Sequence, residues 1–255
     1  GTPIMALALV GMPIDKLPIE TIGKILSGGE SICAEAGIPV AGGHTIDSVE
    51  PIYGLVVMGL IHPDRIKRNS HAQSGDKLIL GKPLGVGILS AALKKNALNE
   101  EGYKAMIQST TKLNTAGKDL AKLAGVHAMT DVTGFGLAGH ALEMARGSKH
   151  AVQLHMNQVP LLPGVRELAQ QGMLTGASGR NWSAYGHEIN LASSLTAIDQ
   201  ALLSDPQTSG GLLVACTPET VNDVLAVFHK HGFSAAAEVG EITAVSANGI
   251  KLHVR

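Results

Sequence analysis

The chain has 255 residues, 45% of them hydrophobic, 16% charged and 3% aromatic, with 31 glycines and a formal net charge of −1. That length and content support one large or two modest α/β domains whose core is closely packed Ala, Val, Leu and Ile. The near-neutral balance leaves no basic footprint for nucleic acid or an anionic membrane. Two cysteines are too few for a disulfide framework and no apolar run reaches bilayer length, so the expected compartment is the cytoplasm.

The chain opens on Gly1-Thr2-Pro3 and enters the apolar stretch Met5 to Met12 with no polar lead-in, no initiator methionine and no basic signal-peptide flank. This favours a chain that lacks part of its parent protein. From Thr21 to Ala36, apolar or small residues at Ile22, Ile25, Leu26, Gly29, Ile32, Cys33 and Ala36 follow the spacing of a one-sided helix, with Gly37 as its stop and Pro39 beyond. Val40 to Thr45 reads as a tight turn and Ile52 to Ile61 as a strand. Polar, broken composition from His62 to Gly75 marks a boundary, dividing the chain into domains 1–65 and 66–255.

In the second domain, Lys77 to Leu80 reads as a short buried strand and Gly85 to Lys94 as a helix. Glu100 to Leu123 is a long helical region with a break near Ser109. His127 to Thr130 is a strand ending at Asp131, followed by a helix to about Arg146, a strand at Ala151 to His155 and a helix at Val165 to Gln171. Gly176 to Asn190 has the composition of a loop. Leu212 to Cys216 is a strand, after which Thr217 suits an N-cap, Pro218 a first helical position and Gly232 a stop. Strands near Ala237 to Val239 and Ile250 to Val254 close the chain. Alternating strands and helices fit a doubly wound sheet or a mixed sheet with helices on one face.

Two glycine-bracketed acidic turns are the candidate sites: Thr130-Asp131-Val132-Thr133-Gly134-Phe135-Gly136-Leu137, and Asp205-Pro206-Gln207-Thr208-Ser209-Gly210-Gly211. Each sets a carboxylate beside uncovered backbone amides, which suits a hard cation carrying phosphates. Neither has the Gly-Lys-Ser/Thr of a phosphate loop or the dinucleotide fingerprint. Asp131 either accepts the amides of its own turn or ligates a cation with help from carboxylates or phosphates elsewhere. Gly42-Gly43-His44-Thr45 is either a plain turn or a place where backbone approaches a ligand while His44 and Thr45 offer a ring and a hydroxyl. Gln207, Thr208 and Ser209 offer three donors, and Arg180 is a phosphate clamp or a solvated loop arginine. No His-Glu-x-x-His or cysteine pair supports zinc. Cys33 and Cys216 read as core, and His229 and His231 as favourable charges at a helix end.

These segments, with Glu50-Pro51-Ile52-Tyr53-Gly54-Leu55, Gly75 to Leu80 and Lys82-Pro83-Leu84-Gly85, resemble the selenide, water dikinase (selenophosphate synthetase) family in order along the whole chain. Single motifs recur in aminoimidazole ribonucleotide synthetase, thiamine monophosphate kinase and a hydrogenase maturation protein. The resemblance implies the two-domain aminoimidazole ribonucleotide synthetase-like fold with its first domain incomplete, and the conversion of selenide, ATP and water to selenophosphate, AMP and phosphate. It implies a homodimer paired through the first, ATP-binding domains, with Mg²⁺ on the ATP phosphates. Gly43, His44 and Thr45 fall on the nucleotide-contacting turn, contributed across the dimer, and Asp131 on one metal-binding aspartate. The family's catalytic Cys or selenocysteine, its lysine and its other metal-binding aspartates precede the position where this chain begins. No catalytic residue is therefore expected within it, and the chain by itself is expected to be inactive, with weak or absent ATP binding.

Overall fold

The computed structural model describes residues 1–245 and 249–255. Two compact units emerge, Gly1–Ile66 and Lys67–Arg255. The first holds β1 (Thr2–Met12), α1 (Ile19–Glu35), β2 (Val40–Asp47) and β3 (Ile52–Leu60). Its sheet runs β2-β1-β3, with β1 parallel to β2 and antiparallel to β3. Helix α1 seats Cys33 against Ala6 and Ile38, and Ile22 against Val10 and Met12. Gly37, at φ +71°, ends it, and the Ile38 amide closes back on the Cys33 carbonyl at 3.0 Å.

Val40 to Thr45, expected as a turn, is instead the body of β2. Leu7, Ala8, Leu9 and Val10 of β1 pair with Gly42, Gly43, His44 and Thr45. A Cβ on Gly43 would lie 1.9 Å from the Ala8 carbonyl oxygen. The glycine is needed for close approach between strands, a requirement that looks the same in sequence as a turn.

The second unit contains β4 (Lys77–Leu80), α2 (Val86–Lys94), α3 (Glu100–Thr111), α4 (Gly117–Leu120), β5 (Val126–Asp131), α5 (Gly136–Ser148), β6 (Ala151–Leu154), α6 (Val165–Gln170), α7 (Gly176–Tyr185), β7 (Ile189–Leu191), α8 (Ala197–Leu203), β8 (Leu212–Cys216), α9 (Val221–Lys230), β9 (Ala237–Thr243) and β10 (Leu252–Val254). Its sheet has the order β5-β8-β4-β9-β6-β10-β7. It is mixed: β10 is parallel to β6 and β7, while β4, β5, β6, β8 and β9 pair antiparallel. Successive residues of β4 point to opposite faces. Leu78 and Leu80 join the larger core with Ile88, Leu137, Leu142 and Leu202, whereas Ile79 joins Val214, Leu120, Val224 and Phe228. Most helices thus cover one face, and α4 and α9 add a second layer, because β4 and β8 are apolar on both sides.

Three local readings change. The break in the long helical region falls after Thr111 rather than near Ser109, where the Lys82 ammonium takes the carbonyls of Ser109 and Lys112 at 2.9 and 2.7 Å, and helix resumes only over Gly117–Leu120. The loop expected over 176–190 is largely α7, begun by Thr175, whose hydroxyl accepts the Ser178 amide at 3.1 Å. Pro218 does not start α9; it opens a 3-10 turn, Pro218–Thr220, and Thr217 makes no side-chain cap. Helix α8 has no counterpart among the sequence expectations, although Thr196 and Asp199 form a reciprocal capping box at its start.

Candidate functional site

The two acidic turns are far apart in sequence and side by side in space. Strands β5 and β8 are antiparallel neighbours, pairing Asp131 with Leu212, so the turn leaving β5 meets the turn entering β8. The Val132 amide donates to Gly211 O and the Gln207 amide to Thr133 O, both at 2.9 Å. Asn181 of α7 is 9% exposed and donates to Gly134 O at 2.8 Å and Ser204 O at 3.1 Å, one amide tying the turns together. Tyr185 donates to Phe135 O at 2.7 Å. A Cβ on Gly210 would lie 2.0 Å from Val132 O, so the pair of turns forms one dense backbone surface.

Their aspartates have different surroundings. Asp205 is fully buried. Its Oδ2 accepts the Gly87 amide at 3.0 Å and Gln207 Nε2 at 2.9 Å, while Gln207 Oε1 accepts the Gly85 and Val86 amides at 3.1 and 3.3 Å. The two side chains thereby cap α2 from a distant turn. Among the described residues Asp205 Oδ1 is buried with no hydrogen-bond partner of ordinary geometry. Burial therefore pushes the carboxyl up to about 7. Of the three donors expected in this turn, Gln207 is committed to the cap, and Ser209 turns its carbonyl inward to Lys82 at 2.6 Å. Lys82, 3% exposed, serves three carbonyls, and burial lowers its ammonium to about 8.

Asp131, by contrast, is exposed at the end of β5. The amide end of α5 follows it, with no side-chain cap at Phe135. Among the described residues no group of three or more His, Cys, Asp or Glu converges. An all-protein metal cage does not fit that donor set. It does fit a hard cation that keeps water and phosphate oxygens around one carboxylate.

Gly43, His44 and Thr45 lie consecutively on β2 of the first unit, whose eight residues are all exposed; Asp131 belongs to the second unit. Arg180 is exposed on α7. Cys33 and Cys216 are both buried and free, and burial pushes the Cys216 thiol up to about 12, Asp76 and Glu238 adding to it. His231 does more than sit at a helix end, bonding Asp119 at 3.0 Å and Thr115 at 2.9 Å. Sequence reading missed Lys82, Asn181 and His140. His140, 6% exposed, places Nε2 3.1 Å from Thr133 Oγ1 and Nδ1 3.0 Å from Glu143; the visible signal was the i, i+3 spacing of His140 and Glu143 on the helix after the turn.

Two family models match the chain: AIR synthase related protein, N-terminal domain, over residues 1–61, and its C-terminal domain over residues 73–253. The chain is 63% identical over 244 residues to a selenide, water dikinase of Pseudomonas straminea, covering 96% of this chain and 68% of that protein. It is 57% identical over 247 residues to one of Rhizobium meliloti, covering 97% of this chain and 71% of that protein. In fold it matches the hydrogenase maturation protein HypE solved in complex with ATP, with TM-score 0.69 and 18% identity, over 97% of this chain and 67% of that one.

Proposed function

As a member of the selenide, water dikinase family, within the AIR synthase related proteins, the chain is an ATP-dependent phosphotransferase, and we propose that selenide is its phosphoryl acceptor, giving selenophosphate, AMP and phosphate. The observation that carries this is the 63% identity across 96% of the chain to a relative of that name. Kinases and maturation proteins of the same fold stand at 18%, so identity favours selenide over their substrates.

Within this reading Asp131 and the open amides after it hold Mg²⁺ and the phosphates, and Gly43, His44 and Thr45 contact the nucleotide. Bound there, Mg²⁺ would neutralise charge on the phosphate oxygens. The residues supply the rest: Asp131 fixes the register of the triphosphate, the amides after it receive phosphate oxygens, and Gly43 leaves backbone exposed beside the His44 ring and the Thr45 hydroxyl. The first domain, residues 1–65, forms part of the ATP-binding and dimerisation domain of a homodimer. Support comes from its sheet, where Leu9, Val56, Met58 and Leu60, on the face away from α1, are 45–68% exposed, an apolar surface suited to a second copy. The second domain, residues 66–255, carries the acidic turns. The cytoplasm is the compartment this reading assigns, with two buried free thiols in its favour; among the described residues no helix is long and apolar enough to cross a membrane.

Phosphorus NMR of the full-length protein supplied with ATP, Mg²⁺ and selenide tests the reading. The expected products are AMP, phosphate and selenophosphate in step. ATP consumption indifferent to selenide but dependent on another acceptor would overturn it.

A further inference from the structure

The second acidic turn keeps its carboxylate for the interior and leaves its later amides free. Asp205 is fully buried and faces α2, its Oδ2 on the Gly87 amide, so the hard cation expected at this turn has no carboxylate of the turn to hold it. Beyond Gln207, the amides of Thr208, Ser209, Gly210 and Gly211 meet no acceptor among the described residues. Thr208 and Ser209 are exposed and keep the run open to solvent, whereas Gly210 and Gly211 are buried, where an amide without an acceptor is costly.

The run is aimed from behind. The Lys82 ammonium takes the Ser209 carbonyl at 2.6 Å, and Asn114 Nδ2 takes the Gly210 carbonyl at 2.9 Å. Lys82 also holds the Ser109 and Lys112 carbonyls, so both pulls run toward the end of α3. In a planar trans peptide the N–H opposes the preceding C=O; the Gly210 and Gly211 amides are thereby turned away from α3. Ser209 is left-handed at φ +51°, a conformation uncommon outside glycine that curls successive amides around one point. No side chain can cover them: a Cβ on Gly210 would lie 2.0 Å from Val132 O, and one on Gly211 2.3 Å from the Lys82 amide nitrogen. A buried ammonium behind and free N–H groups in front select an anion, and an oxyanion has acceptor oxygens for several amides at once.

We propose that residues 208–211 form a second oxyanion site, for a phosphoryl group or free phosphate, with Lys82 and Asn114 as positioning residues. The bonds from Val132 N to Gly211 O and from Gln207 N to Thr133 O set it beside the turn that carries Asp131. The inference deepens the phosphotransfer reading and takes from it the identity of the anion. The probes are inorganic phosphate without Mg²⁺ and, separately, a non-hydrolysable ATP analogue with Mg²⁺, added to the full-length protein and followed by amide shifts and ³¹P–¹⁵N coupling across the hydrogen bond. Coupling at Gly210 or Gly211 is the expected result. If the analogue displaces phosphate from 208–211, the site holds part of the nucleotide's phosphate chain; if both bind together, it holds a separate phosphate. Asn114→Ala should weaken phosphate roughly fivefold, the worth of one ordinary hydrogen bond, while Thr208→Ala, which keeps its amide, should stay within about twofold. Silence at 208–211 with both probes overturns the proposal, and so does affinity lost in Thr208→Ala but intact in Asn114→Ala. A response at 208–211 with none at 131–136 leaves this site standing and removes the cation-bearing turn; a response at 131–136 alone sinks this inference and spares that reading.

Discussion

Ionising Asp205 should weaken the second unit. In the unfolded chain its carboxyl titrates near 3.8, and in the folded unit burial pushes it up to about 7. Between those values the folded state holds a proton the unfolded state lacks. Stability from this group is therefore fully present below 3.8 and lost as pH rises through about 7. From about pH 5 to about pH 8 the ionisation covers roughly two pKa units at ~1.4 kcal/mol each, a loss of about 3 kcal/mol. For a unit of this size that is a fall in Tm of roughly 6–12 °C. The control is Asp205→Asn, which keeps an oxygen for the Gly87 amide and Gln207 but cannot ionise. Calorimetric melting across that pH range should show the parent losing stability relative to the variant. Parallel pH profiles for the two proteins would refute the claim that an ionisable, poorly partnered carboxylate caps α2.

Asn181→Ala removes both bonds that bridge the acidic turns, leaving the carbonyls of Gly134 and Ser204 without that donor; urea unfolding should show a loss of about 2 kcal/mol. Gly43→Ala drives a Cβ toward the Ala8 carbonyl, so β2 must move off β1; a cost of roughly 1–3 kcal/mol and weaker nucleotide binding are expected by thermal melting and titration. The Cys216 thiol, held at about 12 by burial, should react with a disulfide reagent only as fast as the second unit unfolds, and immediate labelling of native protein would contradict its packing.

Much of this fold is legible where one local signal decides. Helix α1 follows from its apolar stripe and its terminating Gly37, and the strands at 77–80 and 212–216 follow from short apolar runs between turn residues. Composition misleads where a distant contact supplies what the local residues lack. The Gly- and Ser-rich stretch at 176–185 folds as α7 with Asn181 and Tyr185 bonded to the acidic turns. Gly42 and Gly43 look like a turn because a glycine needed for strand approach and one needed for chain reversal are the same letter. At the site, Asp131 and its amides are visible as a carboxylate among glycines. That Asp205 and Gln207 face inward to cap α2 is not, since nothing near them in sequence names their partners, and the same holds for Lys82 at the end of α3.

The claim on which the rest depends is that Asp131 and the amides after it grip a magnesium-bound phosphate chain. Amide NMR titration with a non-hydrolysable ATP analogue and Mg²⁺, on the full-length protein and on its Asp131→Asn variant, tests it most directly. The expected result is a set of shifts centred on residues 131–136, with a second set at 43–45, and at least roughly tenfold weaker binding in the variant. Undiminished affinity and unchanged shifts in Asp131→Asn would contradict the account.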